Sequence, residues 1–88
     1  GFTFQATDAR SGNVLTEATV LLREKDTGLL YMPAANTSGE HTVELRKDKE
    51  YTIEASAEYY KAVQTVFKPA EMLRKNVSVQ KVPMERSE

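Results

Sequence analysis

From Glu40 to Glu58 the chain alternates so regularly that its backbone has few options. His41, Val43 and Leu45 share one side, and Glu40, Thr42, Glu44 and Arg46 share the other. After the polar turn Lys47-Asp48-Lys49 the pattern resumes, with Tyr51, Ile53, Ala55 and Ala57 set against Thr52, Glu54, Ser56 and Glu58. A period of two sends each set to its own face of a pleated strand, whereas a helix would mix the sets around its circumference. The two segments read as a hairpin with one buried face and one wet face.

The rest of the chain repeats the theme in shorter pieces. Phe2, Phe4 and Ala6 alternate with Thr3, Gln5 and Thr7, which face water in this reading, and Asp8 to Asn13 supply a turn. Ala18, Val20 and Leu22 alternate with Thr19, Leu21 and Arg23 up to Lys25-Asp26-Thr27-Gly28, a hairpin turn whose glycine reaches a positive φ cheaply. Leu29 to Met32 form a short third strand, ended by Pro33, which has no N–H for a central ladder. Asn36-Thr37-Ser38-Gly39 is a further turn, and Ala62 to Phe67 read as a sixth strand. Lys68 to Leu73 suit one helical turn with Pro69 in its first positions. Val77 and Val79, alternating with Asn76, Ser78 and Gln80, suggest a last strand.

Seven one-sided strands in 88 residues must share one core, because a chain this short has too much surface to divide into two. The expected fold is all-β: two sheets face to face, burying Phe4, Val20, Leu22, Val43, Leu45, Tyr51, Ile53, Val66, Val77 and Val79. Residues 1–83 form this single β-sandwich domain in the reading, and 84–88 a disordered tail or linker to a next domain. Gly1 and the polar run Glu85-Arg86-Ser87-Glu88 read as excision points from a longer protein.

Composition narrows the functional classes. Hydrophobic residues make up 40% and charged residues 28%, the balance of a folded domain and not of a charged tail. The net charge is -1 and the basic residues are scattered among glutamates, so no stripe exists to displace counterions from a phosphate backbone. Nucleic acid is not an expected partner. No apolar run nears the roughly 20 residues of a membrane-spanning helix. With no cysteine, disulfides and thiolate zinc sites are excluded, and no metal or cofactor is expected.

The run Asp8-x-x-Ser11-Gly12-x-x-Leu15-x-x-Ala18-Thr19-Val20-x-Leu22 resembles the opening of carboxypeptidase regulatory-like domains, a transthyretin-like family. Asn36-Thr37-Ser38-Gly39-Glu40-His41, then Leu45, Tyr51-Thr52-Ile53 and Ala55 through Tyr60, resemble that family's later markers, so the likeness spans residues 2 to 82. It implies a seven-stranded antiparallel β-sandwich with Greek-key connections. His41 stands where an aromatic is usual, Lys47-Asp48-Lys49 lacks the usual glycine, and Tyr59 occupies a place where glycine normally stands. Among bacterial members the chain looks most like modules of periplasmic proteins that carry an OmpA-like peptidoglycan-binding domain, some of which accompany type IX secretion; similar modules precede TonB-dependent receptors. The resemblance implies a periplasmic or outer-membrane-associated place in the cell envelope. Neighbouring domains and envelope proteins are the partners it suggests.

No arrangement of side chains reads as a reaction centre. His41, the single histidine, would have to serve any triad with Ser38, Ser56 or Ser78, yet it alternates with Val43 and Leu45 and so points inward. Glu40, Glu44, Glu54 and Glu58 fall on wet strand faces, where cross-strand pairing with lysine is expected. Asp8, Asp26 and Asp48 suit turns and lack the spacing of a calcium loop. Asn76 could join an isopeptide bond, but the first strand offers no lysine. Asn36-Thr37-Ser38 and Asn76-Val77-Ser78 match the glycosylation pattern and read as structural. What remains is a contact surface: the apolar stretch from Leu29 to Ala35 and the pair Tyr59-Tyr60. Tyr31, Met32, Tyr59 and Tyr60 are the candidate interaction residues, for a protein partner or, as the alternative, for stacking on a glycan.

Overall fold

Seven strands and one short helix follow one another in a computed structural model that describes residues 1–88. They are β1 (Phe2–Asp8), β2 (Thr19–Glu24), β3 (Leu30–Tyr31), β4 (Glu40–Val43), β5 (Tyr51–Ser56), β6 (Val63–Phe67), α1 (Pro69–Arg74) and β7 (Gln80–Met84). They build two sheets, one ordered β4-β1-β7 and the other β3-β2-β5-β6. Phe2, Phe4, Val82 and Met84 from the first sheet and Val20, Leu22, Tyr51, Ile53 and Phe67 from the second meet in one core.

Two expectations about pairing are corrected. β4 and β5 do not form a hairpin: β4 pairs with β1, while β5 lies between β2 and β6 in the other sheet. The link from Glu44 to Glu50 arches across the core instead of turning back, and the Arg46 N–H donates to the hydroxyl of fully buried Tyr51 at 3.0 Å, which fixes the arch. The fold is also not wholly antiparallel, because β1 and β7 run parallel, in a register from Phe4 opposite Gln80 to Asp8 opposite Met84. Parallel neighbours need a long crossover, and here almost the whole chain provides it.

The central place of β1 changes its wet face. Gln5 and Thr7, expected to face water, are buried. The Gln5 amide donates to the Ser38 carbonyl at 3.0 Å and its oxygen accepts from the Lys81 ammonium. Turn chemistry explains the local joints. Gly28 has φ 73° in the β2–β3 hairpin, and its N–H donates to the Glu24 carbonyl. Gly39, at φ 74°, ends a turn in which Asn36 Oδ1 accepts from the Ser38 and Glu40 N–H groups. A Cβ on Gly39 would sit 2.6 Å from Val14 Cγ1, so both conformation and space demand glycine.

Of the ten expected core residues, Phe4, Val20, Leu22, Tyr51 and Ile53 are buried, and Val43 and Leu45 pack partly against them. Val66 is 60% exposed, because β6 turns Val63 and Phe67 inward instead. Both parities of β6 carry apolar residues, and the one holding the larger Phe67 takes the core. The Phe67 ring lies edge-on to Phe4 at 4.9 Å and to Phe2 at 6.2 Å, stitching the two sheets together.

Val77 is exposed and precedes the last strand, as does Val79, because the helix end consumes that segment. Asn76 adopts φ 57°, its N–H donates to the Leu73 carbonyl, and the Val77 N–H reaches back to Met72, the paired bonds of a Schellman C-cap. The last strand begins at Gln80 and carries Val82 and Met84 into the core. The segment expected as a tail from residue 84 is therefore tied down. Met84 is fully buried, the Lys61 N–H donates to the Glu85 carbonyl at 2.8 Å, and the Ser87 N–H donates to the Tyr59 carbonyl at 2.9 Å.

Candidate functional site

At the β5–β6 corner polar side chains tie together three distant parts of the chain. Beyond Ser56 the backbone turns over Ala57 to Tyr60, with the Tyr60 N–H donating to the Ala57 carbonyl at 3.1 Å. Tyr60 folds down against β1, and its hydroxyl donates to Asp8 Oδ2 at 2.6 Å. Asp8 Oδ1 accepts from the Arg10 and Ser11 N–H groups, each at 2.8 Å, closing the turn after β1. The Arg86 guanidinium stands 5.3 Å from the centre of the Tyr60 ring, within reach of a cation–π contact. One clamp thus joins the end of β1, the β5–β6 corner and the residues after β7.

The clamp shifts its own titration. The Tyr60 hydroxyl first, then the Ser11 and Arg10 N–H groups, hold the Asp8 carboxyl at about 2 against an ordinary 3.8. Asp8, accepting the hydrogen bond from the Tyr60 hydroxyl, pushes the Tyr60 phenol up. A carboxyl more acidic in the folded than in the unfolded chain stabilises the fold fully above its ordinary range, and that contribution drains away as pH falls from about 4 towards 2. Tyr60→Phe removes the largest contributor. The variant is therefore less stable than wild type at pH 7, and thermal melts taken stepwise to pH 2 show the gap narrowing; a gap independent of pH would contradict the clamp.

Tyr59 does the opposite of its neighbour. Its backbone is left-handed at φ 72°, and its side chain is 67% exposed. For a bulky residue this conformation costs about 1–2 kcal/mol, and little burial offsets it. The other two candidates lie elsewhere. Tyr31, on edge strand β3, packs edge-on against Tyr51 at 6.1 Å and is half-buried, while Met32 is 69% exposed. The four residues differ in how they are engaged: Tyr31 supports the core, Tyr60 is spent in the clamp, and Met32 and Tyr59 are largely exposed.

His41 is buried as its alternation implied, at 2% exposure. Its Nδ1 donates to the Pro33 carbonyl at 3.0 Å, which leaves Nε2 as an acceptor without a partner. A shallow recess of about 180 Å³ opens beside it, lined by Met32, Pro33 and Leu21 among others. Glu54 pairs across strands with Arg23 at 3.0 Å, and Glu44 with the terminal amine at 3.4 Å, so neither meets the lysine expected. No three His, Cys, Asp or Glu side chains gather as they would around a metal ion, and no helix is long and apolar enough to cross a membrane. Sequence reasoning missed Asp8 and Arg86 as partners of Tyr60. An aspartate opening a turn was visible, but nothing marked Arg86.

Compared with known proteins, the chain matches no family model and no curated sequence.

Proposed function

We propose that the chain is a non-catalytic interaction and spacer module of a larger cell-envelope protein, a Greek-key sandwich of the carboxypeptidase regulatory-like, transthyretin-like type. It sits in the periplasm or at the outer membrane and docks an envelope protein through Tyr59. The observation that carries this reading is Tyr59 itself: a large aromatic held in a conformation that glycine would adopt without strain, with most of its ring in solvent. Strain that contributes nothing to packing is retained where the side chain has another use, and exposed tyrosines are frequent anchors of protein contacts. His41 and Asp8 support the non-catalytic part, since the one is buried on a backbone carbonyl and the other closes a turn. A glycan stacked on Tyr59 is the alternative, favoured by the same exposure.

Tyr59→Gly separates binding from folding. Relief of the left-handed strain, less the small burial lost, raises stability by about 0.5–1 kcal/mol. The same change lowers affinity for the envelope partner by about 10-fold or more. Recovery of envelope proteins at wild-type levels by the stabilised variant removes Tyr59 from the reading. Saturable shifts around Tyr59 with soluble peptidoglycan fragments, and no protein recovered, favour the glycan.

A further inference from the structure

The two sheets fail to close on one side. β6 ends the four-stranded sheet, β7 ends the three-stranded sheet, and no ladder joins them. α1 spans the gap and leaves a groove of about 640 Å³, with Ile53, Phe67, Met72 and Val82 among its lining residues. We propose that this groove receives an extended acidic peptide, which adds to the free edge of β6 and turns its carboxylates towards Lys68, Lys75 and Lys81.

Each of the other sheet edges carries some protection. β3 has only two residues, β4 begins with Glu40 and is met by Ala35 opposite His41, and β7 contains Lys81 and Pro83. Short length, charge and proline are the ordinary means of keeping an edge from pairing with another chain. β6 has none of them: Val63-Gln64-Thr65-Val66-Phe67 is uncharged, rich in β-branched residues and free of proline. No turn or loop backbone hydrogen bond reaches it, and its Val66 is 60% exposed. An added strand would pair its backbone there and cover Val66 or the groove floor with alternate side chains.

Charge selects the occupant. The charged residues lining the groove are Lys68, Lys75, Lys81 and Glu71, three positive against one negative, on a chain whose net charge is -1. Glu71 is already engaged by Arg74 at 3.4 Å. Lys81 holds Gln5, whereas Lys68 and Lys75 are exposed and take part in no ion pair. A partner strand with carboxylates along one side fits this rim, and a basic strand does not. The surface is separate from Tyr59, and the inference does not depend on that residue.

The test is an amide-resolved NMR titration of the whole chain with an acetylated, amidated nine-residue peptide alternating valine and glutamate. Expected are saturable shifts at Gln64 to Phe67 and at Lys68, Lys75 and Lys81, with a dissociation constant below about 1 mM, and slowed exchange of β6 amides. Lys68→Glu combined with Lys75→Glu, both exposed and so compatible with an unchanged melting temperature, weakens binding by about 10-fold or more. Alternate N-methylation of the peptide abolishes it. Absence of shifts, or equal affinity for a valine–lysine peptide, overturns the proposal. So does dodecanoate filling the groove while the peptide does not bind, or protection of β6 that grows with protein concentration alone, which would make the occupant an amphiphile or a second copy.

Discussion

Ile53→Asp leaves the chain without a cooperative thermal transition. Ile53 is 2% exposed at the middle of β5, opposite Leu22 on one side and Thr65 on the other. Removing its side chain costs about 2–5 kcal/mol in lost transfer and packing, and an unpaired buried carboxylate adds several more. Domains of this size hold on the order of 5 kcal/mol in reserve. Calorimetry reads the result directly, and a sharp endotherm near the wild-type temperature would show that Ile53 is not where the core places it.

The second large effect lies one residue from a negligible one. Phe67→Ala costs about 3–5 kcal/mol, because the ring bridges the sheets and its edge-on contacts with Phe2 and Phe4 vanish with it. In a domain this small that lowers the melting temperature by about 12 °C or more. Val66→Thr, on the solvent side of the same strand, changes stability by about 0.5 kcal/mol or less. A larger loss at Val66 than at Phe67 would mean that β6 is inserted with the other face inward.

That contrast also shows what the sequence made legible. Period-two alternation located four of the seven strands, β1, β2, β4 and β5, because a one-faced strand needs nothing but its own residues to reveal itself, while β3 and β6 were marked by short apolar runs between turns and prolines. It could not say which strand lies beside which, since β4 and β5 would satisfy their inward faces equally well as a hairpin or in opposite sheets. The parallel β1–β7 pair is still less visible, as its partners sit at the two ends of the chain. Pro83 hid the last strand: it interrupts the run that carries Val82 and Met84 inward and made the plain alternation of Val77 and Val79 the better-looking choice. Where both parities of a strand are apolar, as in β6, side-chain size decides, and alternation alone is silent.

The candidate site was legible in half. Tyr59 and Tyr60 stood out as adjacent aromatics, but nothing in the residues themselves marked the left-handed backbone of Tyr59. Their division of labour was hidden, because it depends on Asp8 and Arg86, brought to Tyr60 only by the folded sheets.

The parallel pairing of β1 with β7 has a mechanical meaning. Since the two strands run the same way, a tug at the Phe2 end of one and the Met84 end of the other acts along the ladder from opposite extremities. The inter-strand bonds are then sheared together instead of being peeled apart one after another. Tension applied at those two ends therefore meets every β1–β7 bond at once.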